Sequence, residues 1–229
     1  MPRQQRVHIP GAMYYVSKRS TRRALMDEWD YRGFLTVLDK ARRRCHVRVH
    51  AFCLESNAIH LAIQVRDVPV SRFMQCLMSE FAADVRRRRG VYVRIFELRH
   101  RQHVVSSETL LSLVRLVHAI PVGSGLVTDA GDYAWSSAGA YFGRTRYSWL
   151  TTRDTLRSLR IQSSEARVMF SRLSRENPTV DELRNLGTSL SGADIAPKYE
   201  VGTRRTSDSR SVLLPLLLVP GVNAPTLRR

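Results

Sequence analysis

The stretch that most constrains this chain is Leu54-Glu55-Ser56-Asn57-Ala58-Ile59-His60-Leu61-Ala62-Ile63-Gln64, an apolar run entered through a polar turn. Side chains alternate along a strand, so Ala58, His60 and Ala62 share one face while Ile59, Leu61 and Ile63 fill the other. Just upstream, Val47, Val49, Ala51 and Cys53 alternate with Arg48, His50 and Phe52. The two segments read as a hairpin turned through Glu55-Ser56-Asn57, at the middle of a sheet. One histidine, His60, faces whatever that sheet carries.

The flanking elements follow from periodicity. Residues 12–17 read as a strand, and Lys18-Arg19-Ser20-Thr21-Arg22-Arg23 as a basic loop after it. From Asp27, a plausible cap, the apolar positions Tyr31, Phe34, Leu35, Leu38 and Ala41 recur at helical spacing until Arg42-Arg43-Arg44. Pro69 and Ser71 open a second helix with the stripe Phe73, Met74, Leu77, Met78, Phe81 and Val85. It closes with Arg86-Arg87-Arg88-Arg89-Gly90, cations and then a glycine stop. Residues 91–96 read as a strand that 99–105 could continue, and Ser106 or Ser107 caps a helix expected to end before Pro121. The order β-α-β-β-α-β predicts an α+β fold, a ferredoxin-like antiparallel sheet with helices on one face. A first domain is expected over 1–143. Short helices at 152–160, 163–175 and 178–186 would form a helical appendage over 144–187, with a loosely ordered tail over 188–229.

Charge narrows the partners. Lys and Arg number 37 against 20 Asp and Glu, a net +17 and a surplus that points to a polyanion, nucleic acid above all. The candidate phosphate contacts are Arg3 and Arg6 at the N-terminus, Lys18, Arg19, Arg22 and Arg23 after the first strand, the run Arg86, Arg87, Arg88 and Arg89, and Arg99 with Arg101 near the fourth strand. Four consecutive guanidiniums repel one another unless an anion screens them. Tyr14 and Tyr15 are adjacent, so one must point away from the core, where it could stack on an unpaired base. Cys45, Cys53 and Cys76 lack metal-ligand spacing and read as buried thiols in a reducing compartment. No apolar leader is visible, and the apolar run in 211–222 is short and broken by Pro215 and Pro220. A cytoplasmic protein without membrane contact is expected.

Several of these stretches together resemble the single-tyrosine HUH transposases, in particular the branch associated with repetitive extragenic palindromes. They are residues 6–16 with Ser17-Lys18-Arg19, the turn before His60, Arg115-Leu116-Val117-His118-Ala119-Ile120-Pro121-Val122 with Gly125-Leu126-Val127, and Asp132-Tyr133-Ala134-Trp135-Ser136-Ser137 with Ala140-Tyr141. In that family two histidines, two apart on one strand, bind a divalent ion beside a helix-borne tyrosine. The resemblance places Ala58 at the first histidine, His60 at the second, Leu116 at the nucleophile and Ile120 at an asparagine that completes the metal site. A transesterification needs a hydroxyl and a cation, which Ala58, Leu116 and Ile120 cannot supply.

The resemblance therefore implies a degenerate former active site, no catalytic residue, no metal and no cofactor. The expected function is that of a catalytically inactive, domesticated DNA-binding protein, a transcriptional regulator recognising palindromic or hairpin-forming DNA as monomer or homodimer. The alternatives are an RNA-binding post-transcriptional regulator and an active single-strand nickase with an unrecognised nucleophile, for which Tyr141 and Tyr147 are the candidates.

Overall fold

The computed structural model describes residues 8–20, 27–90, 95–97, 99–157, 159 and 163–175. Its elements run β1 (Met13–Arg19), α1 (Glu28–Arg44), β2 (Arg48–Leu54), β3 (Ala58–Gln64), α2 (Val70–Arg89), β4 (Arg101–Val105), α3 (Leu110–Gly123), the single turn α4 (Ala138–Tyr141), α5 (Arg153–Arg157) and α6 (Ser163–Arg175). The strands form one antiparallel sheet in the order β2-β3-β1-β4, the ferredoxin-like arrangement that the alternation of elements predicts.

Local chemistry sets the helix ends. Asp27 caps α1 by accepting from the Asp30 amide at 2.9 Å, and Gly90 ends α2 in the left-handed region at φ 66°, where a side chain would be strained. Helices α1 and α2 pack together over one face of the sheet, with the Phe34 and Phe81 rings edge to face at 5.1 Å. Beneath them lie Tyr14, Val16, Phe52, Ile59, Leu61 and Ile63, all buried.

The opposite face carries small residues where it meets helix α3. Ala51, Cys53 and Ala62 are fully buried, and the register sets Cys53 beside His60 and Ala51 beside Ala62. α3 lies across β2 and β3, and such short side chains let a helix backbone come close to the sheet. The appendage docks on α3 in turn: Phe170 of α6 is buried between the rings of His118 and Tyr141.

Four expectations need correcting. Strand β1 runs on through Lys18 and Arg19, which are therefore not in a loop. Alternation turns Lys18 toward the helix-covered face with Tyr14 and Val16; it is 6% exposed and its Nζ donates to the Glu97 carbonyl. Helix α3 continues past Pro121 to Gly123, because a proline near the last turn removes a single amide donor while Ser124 N–H still reaches Ile120 O at 2.9 Å. The fourth strand begins at Arg101, and Phe96 makes only an isolated bridge to Ser20. The segments 91–94 and 178–186 and the tail 188–229 lie outside the described residues.

The repulsion expected in the arginine run is met from within the chain. Asp30, fully buried at the start of α1, receives Arg88 at 3.0 Å and also Arg89, while Asp27 receives Arg89 at 2.9 Å and Asp84 receives Arg88 at 2.9 Å. Removing one partner from a buried ion network leaves the others desolvated and uncompensated. Asp30→Ala should therefore cost about 3 kcal/mol in a urea unfolding experiment; a loss no larger than that of an ordinary surface substitution would mean the network does not tie α1 to α2.

Candidate nucleic-acid interface

The site is built on the sheet face opposite α1 and α2. The register brings Ser17 opposite both His60 on β3 and Arg101 on β4, Tyr15 opposite Ala62 and His103, and Arg19 opposite Ala58. Tyr15, Ser17, His60 and His103 are half-buried, and Arg19 and Arg101 are exposed. Tyr14 is 1% exposed, so Tyr15 is the tyrosine that leaves the core.

His60 is not alone. Its Nδ1 lies 2.8 Å from the Tyr15 hydroxyl, and its Nε2 lies 3.3 Å from one oxygen of Glu55, the first residue of the β2–β3 turn. The other Glu55 oxygen accepts from the Ser124 hydroxyl at 2.5 Å, at the C-terminal end of α3. The Nε2–Glu55 approach is an ion-pair contact without hydrogen-bond geometry, flanked by the Tyr15–His60 and Ser124–Glu55 hydrogen bonds. Burial by itself would raise the Glu55 carboxyl, but His60 and Ser124 beside it and the charge of Arg19 hold it below its ordinary value.

Leu116 and Ile120 stand at i, i+4 spacing on α3, and Ser124, which caps its end, donates to Glu55. Ala58 and Ile120 are each 9% exposed, and Leu116 packs partly buried against the core. α3, which bears Leu116 and Ile120, packs on β3, which bears Ala58 and His60, and Glu55, Ser124 and Tyr15 bring polar groups to His60. Glu55 could have been noticed in the sequence as the carboxylate that opens the turn before His60. Ser124 gave no signal.

A divalent cation does not fit this donor set. His60 and Glu55 are two ligands, already engaged by Tyr15 and Ser124, and Ala58, Leu116 and Ile120 add none. Among the described residues no group of three or more His, Cys, Asp and Glu side chains converges.

Of the predicted cations, Arg3, Arg6, Arg22 and Arg23 lie outside the described residues. Arg19, Arg99 and Arg101 are exposed, as are Arg86 and Arg87, the Arg87 side chain at 77% while pairing with Asp84 at 3.2 Å. Lys18, Arg88 and Arg89 are committed to partners inside the protein and leave the set of candidate phosphate contacts. Tyr141 and Tyr147, the candidate substitute nucleophiles, both lie in aromatic packing. Tyr141 is fully buried, donates to the His50 carbonyl at 2.8 Å and is made less acidic by that burial; Tyr147 is likewise made less acidic by burial and packs against Phe52 and Trp149.

The sheet order, with α1 and α2 on one face and α3 on the other, is the HUH transposase fold. No protein-family model matches the chain, and no curated protein matches it. Among solved structures it is similar to the REP-associated tyrosine transposase bound to a REP hairpin, with a TM-score of 0.55 and 16% identity over 66% of this chain and 98% of that one. At that identity the likeness concerns the fold. A proposed transposase from Deinococcus radiodurans R1 is similar at TM-score 0.37 and 14% identity, over 47% of this chain and 89% of that one, and carries no argument. Among the described residues no helix is long and apolar enough to cross a membrane.

Behind the site, His118 of α3 is fully buried with Nε2 2.7 Å from the Ser137 hydroxyl, and burial drives its pKa down from 6.5 to about 3. Between those values the unfolded chain takes up a proton that the folded chain refuses, so stability is complete above pH 6.5 and falls as the pH drops. His118→Gln should flatten the acid side of a urea-stability profile, removing up to about 1.4 kcal/mol per pH unit. An unchanged slope would contradict the burial argument.

Proposed function

We propose that this protein is a domesticated, catalytically inactive relative of the HUH transposases that binds palindromic or hairpin-forming DNA and acts as a transcriptional regulator. The observation that carries the reading is the state of the former centre. The positions that the resemblance puts at the centre beside His60 are Ala58, Leu116 and Ile120, which offer neither a metal ligand nor a hydroxyl, and His60 and Glu55 are engaged by Tyr15 and Ser124. A pseudo-transposase of this kind keeps a scaffold and a surface but has no route to an in-line displacement at phosphorus.

The ligand class follows from charge and likeness together. A net charge of +17 favours a polyphosphate, and the solved structure of similar fold holds a REP hairpin. Exposed Arg19, Arg99, Arg101 and Arg87 supply cations on the sheet face, before β4 and at the end of α2. The protein binds the hairpin as a monomer, or duplex operator DNA as a homodimer whose symmetry matches a palindrome.

Mobility-shift and salt-titration experiments test this. The protein should bind a DNA hairpin more tightly than an unstructured strand of the same composition, with affinity falling steeply as salt rises. Arg87→Ala should reduce the salt slope by about one while affecting all sequences alike. A nick or covalent adduct on labelled hairpin in magnesium or manganese would overturn the inactivity. Tighter binding to the RNA twin would make the protein an RNA-binding regulator instead.

A further inference from the structure

We infer that Cys45 and Cys76 form a redox-active pair, which a peroxide converts into a disulfide joining the end of α1 to α2. The inference concerns the helical layer and stands apart from the hairpin-binding reading.

The register of the two helices brings the thiols together. α1 and α2 run antiparallel: Asp30 meets Arg88 at 3.0 Å, the Phe34 ring meets that of Phe81 at 5.1 Å, and Arg44 meets Glu80 at 3.3 Å. Partners thus descend α2 as the chain ascends α1. Cys45, which caps the C-terminus of α1, is the residue after Arg44, and Cys76 lies one turn before Glu80 on α2. Both thiols are free and buried, at 3% and 8% exposure. The Cys45 thiol is in hydrogen-bond contact with that of Cys76, and it feels the charge of Arg72, one turn earlier on the same edge of α2. Two cysteines whose sulfurs are this close need little backbone movement to be bridged.

The third cysteine is held apart. Cys53 sits on β2 beside His60, on the sheet face away from α1 and α2, and is fully buried. The sheet stands between it and the pair, so it cannot compete for either partner.

The reaction balances with one peroxide. Cys76, the more exposed of the two, takes one peroxide oxygen to become a sulfenic acid, and the other oxygen leaves as water. The Cys45 sulfur then attacks the Cys76 sulfur, the S–O bond breaks, and the departing hydroxide takes the Cys45 proton to leave as a second water. Two electrons pass from the pair to the peroxide, and a dithiol reductant reverses the bond. Burial and the adjacent Cys76 thiol push the Cys45 thiol up to about 11. Bond formation therefore speeds up in alkaline solution, because the thiolate is the nucleophile. The new bond closes a ring of chain that contains the whole β2–β3 hairpin, and a cross-link of that kind restricts the unfolded chain more than the folded one.

The test treats the full-length protein with hydrogen peroxide in the absence of denaturant, alkylates the remaining thiols and reads the peptides by mass spectrometry. A Cys45–Cys76 cross-linked peptide that dithiothreitol splits should appear, Cys53 should be alkylated, and the thiols counted after unfolding should fall from three to one. The rate should rise with pH, and the oxidised protein should need more urea to unfold than the reduced one. Cys53→Ser should leave the cross-link in place, and Cys76→Ser should abolish it. A cross-link that includes Cys53, one that forms only after urea has unfolded the protein, or thiols at 45 and 76 that stay open to alkylation would overturn the inference.

Discussion

One contact organises the molecule: the landing of helix α3 on the β2–β3 hairpin, over a row of side chains no larger than cysteine. Ala51, Cys53 and Ala62 remove the bulk that would hold the helix off, and Glu55 pins its end by joining Ser124 to His60. The helix that bears Leu116 and Ile120 thereby lies on the strand that bears Ala58 and His60, and Phe170 of α6 finds a surface in His118 and Tyr141. Toward β4 the burial falls off, with Arg101 exposed and 102–104 half-buried among the described residues.

The charge of the chain divides along the same lines. A net +17 spread over a surface is one quantity, and its placement is another. Part of the arginine run holds the protein together, since Arg88 and Arg89 draw a buried aspartate and a helix cap into one network between α1 and α2. Lys18 closes a loop carbonyl. Arg19 and Arg101, by contrast, are exposed on the sheet face opposite α1 and α2.

Much of this could be read from the amino-acid order. Alternation in 47–53 and 58–64 and the apolar stripe of α2 gave the hairpin and the helices, because burial imposes the period of each element directly on its residues. The exclusion of one tyrosine from the core followed from the adjacency of Tyr14 and Tyr15. Contacts across long separations were not legible. Asp30 meets Arg88 from 58 residues away and Glu55 meets Ser124 from 69, and nothing local to either end records the meeting. For the same reason the arginine run looked like a free cationic surface, and Lys18 looked like part of a loop. The apolar residues at 58, 116 and 120 gave no sign of the polar groups near His60, which come from a turn, a helix end and a neighbouring strand.

The central claim is that a transposase fold here keeps a grip on DNA hairpins without the metal-dependent reaction its scaffold is suited to. Calorimetric titration of one hairpin into the protein, first in EDTA and then with manganese in excess, tests it most directly. The account predicts the same affinity in both and an intact oligonucleotide recovered afterwards. Affinity that depends on manganese, or a strand recovered cut or attached to the protein, would contradict it.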